Sequence, residues 1–228
     1  ELADLDREGI VYQSWENPYT LTLGGRSFDP LVSMPAFDAA WETLFQDAET
    51  GLHLVQFHGP TKSAWLEALE DDGLAVLQYI HPFTYVVWGE SSAIELSSGK
   101  GFVRWTGDYL PAYAVQPQNR LLSSEPIAVR ALIYPAAGLS ETAWALEALG
   151  GTILSAAIES DPVFDLVTLT LPGNLIQTAA YLPGVYTLQP IPTDGGDRGE
   201  MSNQINVGNT NSSNLANPGY LDWLSQLG

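Results

Sequence analysis

The 228-residue chain contains no cysteine. Disulfides, thiolate nucleophiles and cysteine-ligated zinc sites are therefore excluded. Positive charge is scarce: eight Lys and Arg stand against 27 Asp and Glu, a formal net charge of −19. Nucleic-acid binding needs Lys and Arg to neutralise phosphates, so no nucleic-acid partner is expected. An anionic membrane surface is disfavoured for the same reason, and no apolar run approaches the roughly 18 residues of a spanning helix. Histidine is limited to His53, His58 and His81. No Gly-x-Ser-x-Gly, His-Glu-x-x-His or phosphate-loop pattern accompanies them. The acidic run Glu70-Asp71-Asp72-Gly73 lacks the alternating ligand spacing of a calcium loop and reads as a solvated turn. The sequence thus leads us to expect no catalytic residue, no cofactor and no metal site.

What the chain does have is apolar residues, at 45%, and seven Trp, enough to build cores. They are arranged in a repeat. Residues 52–106 carry a pattern that residues 127–190 echo. Each copy opens on a strand-like run, Leu52 to Phe57 and Ile127 to Ile133. A hydroxyl residue then stands four before a Trp, Thr61 before Trp65 and Ser140 before Trp144. Glu67-Ala68-Leu69 matches Glu147-Ala148-Leu149, and Phe83 to Val87 matches Phe164 to Thr168. Gly101-Phe102-Val103 matches Pro183-Gly184-Val185. Such self-similarity marks one small fold used in tandem.

Each copy reads strand, helix, strand, strand, helix, strand. The fold class expected is α+β: two tandem ferredoxin-like βαββαβ sandwiches with an irregular N-terminal leader and an extended C-terminal tail. The divisions expected are a leader over 1–50, a first copy over 51–117, a second copy over 118–192 and a tail over 193–228. Thr61 and Ser140 are expected to start the first helix of each copy, and Gly73 and Gly150-Gly151 to stop them. Leu139 is placed to staple onto Trp144. Trp65, Trp88, Trp105 and Trp144 are expected to face cores. In the leader, Tyr19 to Leu23 suits a short strand, and Ala36 to Asp47 shows a weak helical period. Pro111, Pro117 and Pro126 predict an extended linker between the copies. After Pro190 the composition turns to Pro, Gly, Asp, Asn and Ser. A last helical signal follows, with Pro218 at its start and Tyr220, Trp223, Leu224 and Leu227 on one face.

That last segment, Asn217 to Gly228, resembles the start of the catalytic domain of subtilisin-like serine proteases, where a short helix ending in Gly precedes the strand of the catalytic Asp. Met201 to Ile205 is similar to the mature N-terminal segment of that family. Arg26 to Leu31, and Leu54 to Phe57 through Trp105, look like the N-terminal region of its large secreted members. Both repeats match the plan of the family's inhibitor-like prodomain. The resemblance implies a pro-region with no residue of the Asp-His-Ser triad: not itself an enzyme, but one that inhibits a subtilisin-like catalytic domain in cis and assists its folding. It implies that the second copy docks on the protease. The cleft-binding tail or processing region would then be Leu188, Gln189, Pro190, Ile191, Pro192, Thr193, Asp194, Gly195, Gly196, Asp197 and Arg198. Tyr220, Trp223, Leu224 and Leu227 would form the helix at the start of the protease domain. The chain opens at Glu1 without an initiator Met or a basic-plus-apolar leader, as a secreted protein would after loss of its signal peptide, or as a piece cut from a longer chain would. The alternative expectation is a stand-alone tandem module that binds a protein, or a small molecule between its copies.

Overall fold

The apolar runs pair into three antiparallel sheets. A computed structural model describes residues 7, 17–38, 41, 49–120, 123–157 and 163–191. In the leader, β1 (Leu21–Leu23) and β2 (Arg26–Phe28) form a hairpin. Gly24 and Gly25 turn it with φ of 57° and 75°, angles that side chains with a Cβ rarely adopt. Of the expected strand at Tyr19 to Leu23, only Leu21–Leu23 forms β1, and Tyr19 lies in a turn. Of the expected helix over 36–47, 36–38 are irregular and Trp41 is helical, and the rest lies outside the described residues.

Next come β3 (Thr50–Phe57), α1 (Ser63–Asp71), β4 (Ala75–Ile80), β5 (Thr84–Glu90), α2 (Ser91–Ser98) and β6 (Val103–Asp108). A helical turn, α3 (Pro111–Ala114), follows. Then β7 (Pro126–Ile133), α4 (Leu139–Ala148), β8 (Thr152–Ala157), β9 (Asp165–Pro172), α5 (Ile176–Ala180) and β10 (Val185–Pro190) repeat the order of the first half. The first sheet runs β4-β5-β3-β6 and the second β8-β9-β7-β10. Their neighbours are antiparallel throughout, so the class is α+β.

The halves agree down to their irregularities. Leu54 pairs with Val86 in the first sheet, as Arg130 pairs with Thr168 in the second. The register of β4 slips at Leu77, that of β8 at Leu154. The last strand of each half bulges at one residue, Arg104 or Tyr186. A bulge re-aims the side chain at that point, and these two carry different ones.

The first helix of each half ends in the same way. Gly73 and Gly150 hold φ of 93° and 94°, and the Leu74 and Gly151 amides each donate 3.0 Å back to the carbonyls of Leu69 and Leu146. Both leucines are fully buried. This frame corrects the sequence alignment by two residues. Trp144 falls on the position of Glu67 and points to solvent, 71% exposed, while Thr142, itself buried, takes the position of the half-buried Trp65. Trp144 therefore neither faces a core nor staples Leu139. The helix starts also move: Ser63 follows Lys62, and Leu139 follows Gly138, with no side-chain cap at either.

The helices cover one face of each sheet. Val55, Phe57, Leu69, Val87 and Val103 form the first core there. Val129, Ala131, Ile133, Leu146, Val167, Leu169 and Ile176 form the second. The linker is not extended as its prolines suggested. Pro111 begins a helical turn, which its fixed φ suits. Ala112, Ala114 and Val115 enter the second core, while Tyr113 enters a third cluster on the other face of the first sheet. Arg120 ties this turn down by donating to the carbonyls of Ala112 (2.8 Å) and Val115 (3.3 Å). Aromatic rings fill the joint between the halves. Trp88 lies 5.4 Å from Tyr134, Phe164 stacks on Tyr186 at 4.5 Å, and the Tyr109 hydroxyl donates to the Tyr186 carbonyl at 3.0 Å. Burial raises the Tyr109 hydroxyl well above its ordinary pKa, so it stays a donor. These elements belong to one compact unit, Glu1–Pro190; of a second, Ile191–Gly228, only Ile191 is described. Among the described residues no helix is long and apolar enough to cross a membrane.

Candidate functional site

The face of each sheet that turns away from its helices separates the two halves. In the first sheet this face carries Leu52 opposite Trp88, Leu54 opposite Val86 and Gln56 opposite Thr84. It is sealed by Leu21 and Phe28 of the leader hairpin and by Tyr113. Even Leu77, at the register slip, packs into this cluster. In the second sheet the corresponding pairs are Ala128 with Thr170, Arg130 with Thr168 and Leu132 with Leu166. Arg130 is exposed and its partners half-buried. Leu154, at the equivalent slip, is 57% exposed. Tyr186 of β10 packs on the cluster around Tyr113, but among the described residues Ala128, Leu132, Leu154 and Leu166 enter no core.

A buried polar latch holds the cover on the first sheet. The Asp29 carboxylate accepts from Arg104 Nη2 at 2.8 Å, from Asn17 Nδ2 at 2.9 Å and from the Leu31 amide at 3.0 Å. Burial pushes the Asp29 carboxyl up. These hydrogen bonds and the Arg104 charge outweigh it and hold the pKa below the ordinary carboxyl range. Arg104 also donates to Gln56 Oε1 at 2.6 Å and lies 4.1 Å from the Tyr19 ring centre. Gln56 donates to the Tyr19 carbonyl at 3.1 Å. The second sheet has Tyr186 and Leu132 at the positions of Arg104 and Gln56, so it cannot build this latch.

The second face is built from short side chains around one cation. Thr168 and Thr170 offer hydroxyls, Ala128 leaves room for a close approach, and Leu132, Leu166 and Leu154 supply apolar area. This mixture suits a macromolecular contact with a polar rim and holds no acid–base pair for chemistry. The residues were overlooked in the sequence, although their signal is there. The run 52–57 is apolar with buried polar exceptions, whereas 127–133 and 165–172 alternate, placing Arg130, Thr168 and Thr170 on one side.

The structure places only part of the expected tail. Leu188, Gln189 and Pro190 are the end of β10, paired to Ala131, Arg130 and Val129. Leu188 is fully buried in the second core, Gln189 is exposed beside Arg130, and Ile191 is half-buried. Pro192, Thr193, Asp194, Gly195, Gly196, Asp197 and Arg198 lie outside the described residues, as do Tyr220, Trp223, Leu224 and Leu227.

Of the histidines, His58 and His81 are exposed. His53 is 6% exposed, with Nδ1 3.1 Å from Asp108 Oδ1 and a buried Nε2 that makes no hydrogen bond. A His–Asp pair can orient a general base, but a nucleophile at the far nitrogen would complete it, and no hydroxyl bonds there. Among the described residues no group of three or more His, Asp or Glu is placed to hold a metal ion. A groove lined by Trp88, Glu90, Ser92, Leu96 and Asp72 runs beside α2, with Asp72 engaged by Ser97 (2.6 Å) and Lys100 (3.1 Å).

A family model for a domain of unknown function, DUF8729, matches residues 22–110. The match takes the leader hairpin together with the first half and ends just before α3. No curated protein matches the chain.

Proposed function

We propose that the chain is the pro-region of a secreted subtilisin-like serine protease and binds its catalytic domain in cis through the second half. Each half is read as a ferredoxin-like split βαβ sandwich, a plan supported by the shared order β-α-β-β-α-β and by first strands that sit between third and fourth. One observation carries the reading. The two halves match in register and bulges, yet only the second leaves Ala128, Leu132, Leu154 and Leu166 of its sheet face outside any core among the described residues, and its edge strand β10 leads directly into residue 191.

In this reading the Ala128, Arg130, Leu132, Leu166 and Thr168 face packs on the protease surface. The cleft-binding segment begins at Ile191, because Leu188 cannot leave its core without breaking β10. Residues 192–198 would lie in the substrate cleft by main-chain hydrogen bonds. The first half, with both faces closed, spaces or shields the second. Binding the native catalytic domain and not its unfolded chain stabilises it by mass action, which supplies both inhibition and folding assistance. The pro-region itself performs no chemistry. A stand-alone module with a ligand between its halves receives less support, since aromatic rings fill that joint.

The test is to titrate the purified chain into the subtilisin-like catalytic domain expected beyond residue 228 of the same gene. Stoichiometric inhibition and faster refolding of the protease are expected. A gene without such a domain, or a domain neither inhibited nor assisted, overturns the reading.

A further inference from the structure

The helix side of the second half carries a different surface. Trp144 is 71% exposed on α4, and no ring or cation of the described residues lies against it. Glu141 and Glu147 stand three residues before and after it, both exposed, and side chains at that spacing share one face of a helix. The helix has no basic residue.

Elsewhere this protein seats its own cations on rings. Lys62 lies 5.2 Å from the Trp65 ring centre, Arg104 4.1 Å from Tyr19, and Arg120 5.0 Å from Trp41. Lys100 is committed to Asp72. Only eight Lys and Arg serve a chain of net charge −19, and these four are already placed. The Glu141 carboxylate turns back over Gly138 at the start of α4, so the seat rests on the indole with two negative charges within one helical turn of it: the ring face attracts a cation, and the nearby charges add to that attraction. Tryptophan is also the side chain most often found at the energetic centre of protein contacts.

We propose that Trp144, with Glu141 and Glu147, is a docking point for a Lys- or Arg-bearing segment of a partner protein. The surface lies on α4, not on the open sheet face, and does not depend on the pro-region reading. The partner's ammonium or guanidinium group lies over the indole, and the protein's acidic field raises its local concentration.

The experiment uses the full chain with 15N-labelled tryptophan, the Trp144 indole resonance being assigned from a W144F variant. Tetralysine and tetra-arginine peptides are titrated in, with tetraglutamate and phosphatidylcholine vesicles as controls. The expected result is a saturable shift of the Trp144 indole with the basic peptides alone. W144A should weaken binding roughly two- to five-fold, and E141Q/E147Q by roughly two- to ten-fold, with circular dichroism unchanged. Three results overturn the proposal: an indole that does not move with the basic peptides, an equal shift with either control, or unchanged affinity in W144A, which would assign the binding to diffuse charge.

Discussion

The two halves of this protein share strand order, bulge positions and helix caps, yet they differ in how their sheets end. The first sheet is covered on both faces, by α1 and α2 on one side and by the leader hairpin with Tyr113 on the other. The second has its helices on one face and Arg130, Thr168 and Thr170 on the other. The difference teaches that the backbone plan of such a half does not require the second cover. The first half has gained one through a latch that needs Asp29, Arg104 and Gln56 together, and where Tyr186 and Leu132 stand instead, no such latch forms.

Exchanging the matched pair Leu54 and Arg130 breaks this contrast most sharply. Leu54→Arg places an unpaired charge in a sealed core and should cost more than roughly 4 kcal/mol, enough to unfold the first half. Arg130→Leu should change stability by no more than about 0.5 kcal/mol. Urea unfolding of both variants, followed by circular dichroism, measures the pair. Equal effects would mean that the two faces are equally covered.

Next in size is the latch. Arg104→Ala leaves Asp29 buried without its cation, at a cost of about 3 kcal/mol, and should open the leader hairpin to proteolysis. Full resistance of residues 17–31 to a dilute protease would contradict the latch. The tryptophans come third. Trp65 stacks on Phe102 at 5.3 Å, so Trp65→Ala should lower stability by about 2 kcal/mol, whereas Trp144→Ala should leave it within about 0.5 kcal/mol. The unfolding midpoints of the two variants decide whether the helix frame is right.

The smallest effect is the response to acid. Asp29 and Asp72 both titrate below the ordinary carboxyl value of 3.8. For Asp72, burial raises the pKa, and the hydrogen bonds from Ser97 and Lys100 with the Lys100 charge outweigh it. Each group binds its proton more weakly folded than unfolded. Its contribution is therefore present in full above pH 3.8 and is lost as pH falls through the lower folded value. Both groups serve the first half, so acid should loosen that half first. Asp29→Asn should flatten the pH dependence of the thermal midpoint below pH 4, and an unchanged slope would contradict this.

The repeat, the strand and helix order and the stops at Gly73 and Gly150 were legible because periodicity and glycine act locally. Trp144 was not. The hydroxyl-to-Trp spacing suggested one register, but the helix is set from its C-terminal cap and from Leu146, two residues away from that alignment. The linker was misread because its prolines signal turns without showing that Tyr113 and Ala112 would find cores on opposite sides. The latch was out of reach, since Asp29 and Arg104 lie 75 residues apart and only the folded sheet brings them together. The open face was legible in principle, in the alternation of 127–133, but a strand's polar side does not reveal whether another part of the chain covers it.

The second half, and not the first, is proposed to meet the partner. Hydrogen exchange of the full chain, with and without the cognate subtilisin-like catalytic domain, tests it directly. New protection is expected in β8, in β10 from Gln189 onward, and at the margins of β7 and β9, with β3 to β6 unchanged. Protection confined to the first half, or none anywhere, would contradict it.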